Sequence, residues 1–288
     1  MLGLGVAVLA ISSATAAIKL ADPLAPEVVA CLRVSVTVIG LALLGPRASA
    51  RAVRALLASP RDAGLTALAG LCLAAHFAAW ITSLSLTSVV RSLALVSTQP
   101  FFAGLLARAI GDRAPSRRLY VGSLVAIVGT VLMIEPGDAS GALLGDLLAL
   151  SGAITAAMCL VLGRRIHARL GDALPLDGYL VCVNVVAAAC LGVFVLVRGS
   201  SFVPDGVEVG DYLAVVWLGL VPGIVGHGLL NWAVRKVPVH TVSLAVLLEP
   251  AGAALLAWAL LGESVGGREA VGAAVLLGGV ALGLPRRE

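Results

Sequence analysis

Apolar residues fill this chain in ten long runs divided by short polar loops. A helix that spans a bilayer needs about 17–25 mainly apolar residues. The runs fall at about 3–20, 27–45, 63–84, 88–109, 118–135, 143–163, 177–197, 212–234, 239–261 and 269–284. From Ala63 to Val90 there is no Asp, Glu, Lys or Arg at all. Hydrophobic residues make up 60% of the 288 and charged residues 12%, against about 25% charged in soluble domains. A chain of this length cannot hide so much apolar surface from water, and disorder requires the opposite composition. Lipid offers the backbone no hydrogen-bond partner, so a spanning chain must be helical or a closed barrel. Barrel strands alternate apolar and polar residues, and these runs are continuous. The sequence therefore predicts an all-α, polytopic membrane protein of ten transmembrane helices.

Basic residues orient the helices. With the N-terminus inside, the inner loops hold fifteen of the twenty Lys and Arg, among them Arg47, Arg51, Arg54, Arg61, Arg113, Arg164 and Arg286. The outer loops hold only Arg198 and Arg268. The positive-inside rule then predicts a multi-pass protein of the inner (plasma) membrane with both termini cytoplasmic. The first run, Leu2 to Ile18, has the length of a signal peptide without its basic start, and is read as a first membrane helix. The net charge of +4 sits in loops without aromatic interleaving, so nucleic acid is not expected as a partner. The five cysteines lie inside apolar runs with no CxxC, which argues against disulfides and zinc.

The sequence repeats. A shift of 150 residues aligns Pro100 with Pro250, Gly122 with Gly272 and Gly129 with Gly279, and Trp80 and Trp232 precede these blocks at similar spacing. Five helices duplicated into five give halves of opposite orientation. The expected units are residues 1–136 and 143–284, two inverted five-helix repeats. Transporters built this way bind substrate near the midplane between repeats.

Several stretches resemble one family. His76-Phe77-Ala78-Ala79-Trp80-Ile81-Thr82-Ser83-Leu84, Ser92 through Pro100, and Leu248-Glu249-Pro250 through Leu261-Gly262-Glu263 are similar to the drug/metabolite transporter superfamily, EamA type. Arg33 falls where that family often carries an arginine, whereas Arg91 stands where small residues are usual. The resemblance implies alternating-access transport of small metabolites, often export, without ATP. It does not identify the substrate.

The residues offer chemistry at a few places. Pro100 and Pro250 lie near mid-span, where a proline removes a helical hydrogen bond. They read either as packing kinks or as hinges lining a cavity. Gln99 and Glu249 precede them at the same depth. A carboxylate in mid-membrane usually faces a polar interior and suits proton coupling or cation binding; the alternative is a structural acid paired with an arginine. His76 and Trp80 share a helix face, as do His227 and Asn231, with Trp232 adjacent. These residues are candidates to bind substrate, and the tryptophans are alternatively interfacial anchors. Asn184 reads as an interhelical hydrogen-bonding residue. Lys19, Arg33 and Arg91 fall toward the outer side, with no acid foreseen beside them. If they converge they form a cationic outer vestibule that favours an anionic or zwitterionic, amino-acid-like solute.

No GxGxxG, Walker loop, HExxH or GxSxG is present, and the four histidines lack metal-ligand spacing. No enzyme activity, cofactor or metal is expected. The expected function is a secondary transporter, in the export direction, of small organic metabolites. Nucleotide-sugar or cationic-drug transport is the alternative, and an integral membrane enzyme lies further off. The expected partners are a small-molecule substrate and membrane lipid, and the expected assembly is a monomer or homodimer.

Overall fold

A computed structural model describes residues 2–87, 89–109, 116–133, 143–261 and 266–284, and every regular element among them is helical. In order these are α1 (Leu2–Ser12), α2 (Ala14–Leu20), α3 (Pro26–Leu44), α4 (Pro46–Leu57), α5 (Pro60–Leu86), α6 (Val89–Val96), α7 (Gln99–Ala109) and α8 (Arg117–Leu132). There follow α9 (Leu143–Leu170), α10 (Leu176–Arg198), α11 (Val209–Leu218), a π-helical segment (Gly219–His227), α12 (Gly228–Val234), α13 (Val239–Val246), α14 (Glu249–Leu261) and α15 (Gly267–Gly283). Arg113, Gly262, Glu263, Arg286, Arg287 and the expected repeat boundary at 136 lie outside the described residues.

Local chemistry sets the helix ends. Pro26, Pro46 and Pro60 each open a helix, where the missing N–H costs nothing. Ser59 caps α5 by accepting from the Asp62 N–H. Gly199, at φ +66°, closes α10 in a left-handed turn. Glu208 and Asp211 form a capping box at the start of α11.

Among the described residues six helical runs are long and apolar enough to cross a membrane: Leu2–Leu20, Pro26–Leu44, Pro60–Leu86, Leu143–Ala173, Leu176–Arg198 and Val209–Val234. The other four expected spans fall on shorter or interrupted helices. The run at 88–109 breaks into α6 and α7 at Ser97–Thr98, and 239–261 breaks into α13 and α14 at Leu247–Leu248. Each break directly precedes the pair that ends in proline, Gln99-Pro100 or Glu249-Pro250. The prolines thus stand at the second position of a new helix, where the ring is tolerated. Large apolar side chains cover the outside, with Leu43, Leu44, Leu196 and Val197 more than three-quarters exposed. Such a surface belongs in lipid, and the chain is a multi-pass membrane protein.

One helix was not foreseen. The basic stretch expected as an inner loop folds into α4, which buries Ala52 and Leu56 and leaves Arg51 and Arg54 exposed. It packs on α10, where Gly178 leaves room for Ala48 and Ala52.

Two pairings dominate the packing: α5 against α9, and α8 against α15. The α5–α9 contact is polar at three levels. Arg169 donates to Asp62 at 2.9 Å, the His76 ring bonds the Gly152 carbonyl at 2.9 Å, and Thr87 Oγ1 donates to Asp146 at 3.3 Å. The α8–α15 contact is made by facing glycines, Gly122 with Gly279 and Gly129 with Gly272.

Candidate functional site

A cavity lies between the halves of the chain, lined by α1 to α3, α5 to α7, α9, α10, the π segment and α12 to α14. No lining residue comes from α4, α8 or α15. Many lining positions are related by the 150-residue shift: Arg33 with Val183, Val34 with Asn184, Phe77 with His227, Val96 with Val246, and Gln99 with Glu249. Val96 and Val246 are also the last residues of α6 and α13, directly before the breaks.

Rings form one side of the cavity. His76 is held by the Gly152 carbonyl and stacks on Trp80, with centroids 5.9 Å apart and planes 6° apart. Phe77 meets His227 edge to face at 5.5 Å. The Arg33 guanidinium lies over the Phe77 ring, 4.0 Å from its centroid, a favourable cation–π arrangement. Asn231 and Asn184 each donate to the carbonyl one turn earlier, of His227 and Leu180, at 2.9 Å. Asn184 therefore bonds its own helix rather than a neighbour.

Close packing fixes Arg33. A Cβ at Gly219 would stand 2.8 Å from the Arg33 carbonyl oxygen, so the π segment can approach α3 only with glycine there. Thr37 Oγ1 then reaches across and donates to the Gly219 carbonyl at 2.8 Å. Pro222 sits inside this segment, and the wider π winding accommodates its missing N–H.

The structure gathers six of the seven expected substrate contacts into this cavity: His76, Trp80, Gln99, His227, Asn231 and Glu249. Trp232 is the exception. It is 42% exposed, and the Lys236 ammonium lies 5.2 Å from its ring centroid. Its position is that of an interfacial anchor. Trp232→Ala is expected to leave transport within about twofold of the parent, because a half-exposed side chain contributes little to a buried site. Initial-rate flux at matched protein content checks this.

Lys19, Arg33 and Arg91 do not form a shared vestibule. Lys19 is exposed at the end of α2. Arg91 pairs with Asp146 at the start of α9, an acid that the expectation of unneutralised cations left out. Arg33 is 1% exposed and lines the cavity. A cation in apolar surroundings is costly without a partner or polar space, so Arg91 takes an acid and Arg33 turns inward. Sequence reasoning also missed Phe77, Tyr179, Thr37 and Cys159, which line the cavity. Nothing but their helical phase distinguishes them from packing residues.

Among the described residues no cluster of His, Cys, Asp or Glu could hold a metal ion. The fold is that of a helical, multi-pass membrane protein with a cavity inside it. Residues 143–284 match the profile of the EamA-like transporter family. A protein of Bacillus subtilis (strain 168) described as "Uncharacterized transporter YdfC" is 23% identical over 187 residues, which are 65% of this chain and 59% of that protein. A crystal structure of another protein superposes with a TM-score of 0.77 at 19% identity, covering 98% of this chain and 96% of its own. That likeness establishes the fold. The second half of the chain is thus similar to the EamA-like transporter family.

Proposed function

We propose that this protein is a secondary transporter that moves an anionic or zwitterionic, amino-acid-like solute outward by alternating access. It crosses the inner membrane ten times, as inverted repeats 1–136 and 143–284, with both termini in the cytoplasm. The observation that carries this reading is a cavity shared by both halves and lined by positions related through the 150-residue shift. Paired lining positions are what two inverted repeats around one midplane site produce. The family match over 143–284 supports the second unit. Proline breaks beside Gln99 and Glu249 support it further, because irregular backbone at membrane depth is tolerated where protein or a cavity satisfies it.

Proteoliposomes test the transport claim. Vesicles loaded with unlabelled leucine should accumulate labelled leucine faster than protein-free vesicles, and ATP should add nothing. No flux of leucine or of any other carboxylate solute would refute the reading. Topology is tested separately with reporters in two loops. One inserted at 171–173 should be accessible only from the cytoplasm, and one at 201–206 only from outside. Reporters on the same side would remove the inverted repeat.

A further inference from the structure

Arg33 is fully buried, yet both terminal nitrogens of its guanidinium have no hydrogen-bond partner. Among the described residues it forms no ion pair. The Phe77 ring lies 4.0 Å from the guanidinium carbon, and among the described residues nothing bonds the two terminal nitrogens. Buried donors are rarely left so, and a charged fork of this kind fits a carboxylate through two parallel bonds. The cavity that Arg33 lines is also lined by Glu249, 9% exposed, which attracts it through space without reaching bonding distance. The other titratable groups facing this cavity are His76 from α5, His227 from the π segment, Cys159 from α9 and Tyr179 from α10.

We propose that Arg33 is the carboxylate receptor of this cavity and Glu249 its resting counter-ion. A bound monoanion is then accompanied by one proton, and a bound zwitterion by none. This rests on the transport reading above. The charges balance as follows. With Glu249 ionised, the empty site holds one guanidinium cation and one carboxylate anion. A monocarboxylate that binds the Arg33 fork brings a second negative charge into a water-poor space, where an unpaired charge is costly. Glu249 therefore takes one proton from solution and becomes a neutral acid. An amino acid places its carboxylate on Arg33 and its ammonium against Glu249, and no proton is needed. A phosphate dianion would require two protons, one on Glu249 and one on the phosphate itself, a second protonation that a monocarboxylate does not need. An amine lacking a carboxylate meets the uncompensated Arg33 cation.

Leucine, 4-methylpentanoate and 3-methylbutylamine share one carbon skeleton and differ in these charges. Binding to purified protein is read as a thermal shift, and proton uptake with an indicator dye in weak buffer. Leucine and 4-methylpentanoate should both stabilise the protein, the amine and inorganic phosphate far less. 4-Methylpentanoate should take up about one proton per molecule bound and bind more tightly at lower pH, and leucine should take up none. Arg33→Gln should weaken binding of both carboxylates about 50-fold, the loss expected for a buried charge-assisted pair. Arg33→Lys keeps the charge without the fork and should weaken it about tenfold. Glu249→Gln should still bind 4-methylpentanoate, now without proton uptake. If the amine stabilises best, if neither carboxylate stabilises the protein, or if both Arg33 variants bind carboxylates like the parent, the receptor assignment is wrong. If 4-methylpentanoate binds without proton uptake, the counter-ion role of Glu249 is wrong. Flux in vesicles that persists through any of these outcomes would leave the transport reading standing alone.

Discussion

Replacing Gly129 with leucine is expected to abolish recovery of folded protein. A Cβ at that position would lie 2.7 Å from the Gly272 carbonyl oxygen and press on the Leu276 backbone, and Gly272 meets the Gly129 carbonyl at the same 2.7 Å. These neighbours are main-chain atoms, so no change of rotamer relieves the overlap. The whole of α8 would have to withdraw from α15, opening the second pair at Gly122 and Gly279 as well. In lipid there is no hydrophobic drive to hold helices together, and close approach of small residues supplies the contact. A cost of about 5 kcal/mol follows, at the upper end for single substitutions and comparable to the whole stability of many proteins. Gly278 lies on the partner helix α15 with nothing within 4 Å of a built Cβ, so Gly278→Leu should be recovered normally. Detergent size-exclusion yield compares the two variants. A monodisperse Gly129→Leu protein at parental yield would show that the glycine contact contributes little.

Trp80→Ala should combine a stability loss of about 3–5 kcal/mol, usual for a buried tryptophan, with a fall in transport of at least about 100-fold, as expected when a ring that lines a site is removed. Trp80 is 4% exposed, and its ring carries the stack on His76. Losing it frees His76, whose bond to Gly152 joins α5 to α9. Trp80→Phe separates the two effects. It keeps an aromatic face for His76 and leaves a smaller void than alanine, and it removes the indole Nε1–H, which has no partner among the described residues. The Phe variant should therefore lose much less stability than the Ala variant while flux falls about tenfold, the usual value of one hydrogen bond to a solute. Equal flux from Phe and Trp would mean that Trp80 serves packing alone.

The helices and most of the cavity were legible in the sequence because the bilayer makes strong demands. A run without charge can only be a span, and a polar residue within one has to face something polar. That reasoning found His76, Gln99 and Glu249. It failed where the outcome depends on a partner far along the chain. Arg91 and Asp146 are 55 residues apart, and nothing local announces that they meet. Arg33 was placed toward the outside because span depth is readable, whereas the rotation of α3 against the π segment is set by Gly219 and Thr37 together. The helix α4 was hidden by its arginines, which satisfy the positive-inside rule whether the segment is coil or helix.

The three polar ties between α5 and α9 also set a timetable for synthesis. His76 waits for a carbonyl 76 residues later, and Asp62 for an arginine 107 residues later. At about 5–20 residues per second of translation, α5 is complete roughly 4–17 s before its partner is. Through that interval the His76 imidazole has no mate at its final depth. The nascent chain must therefore keep α5 near the water-lined insertion machinery, or let it settle shallowly, until α9 emerges and draws it in.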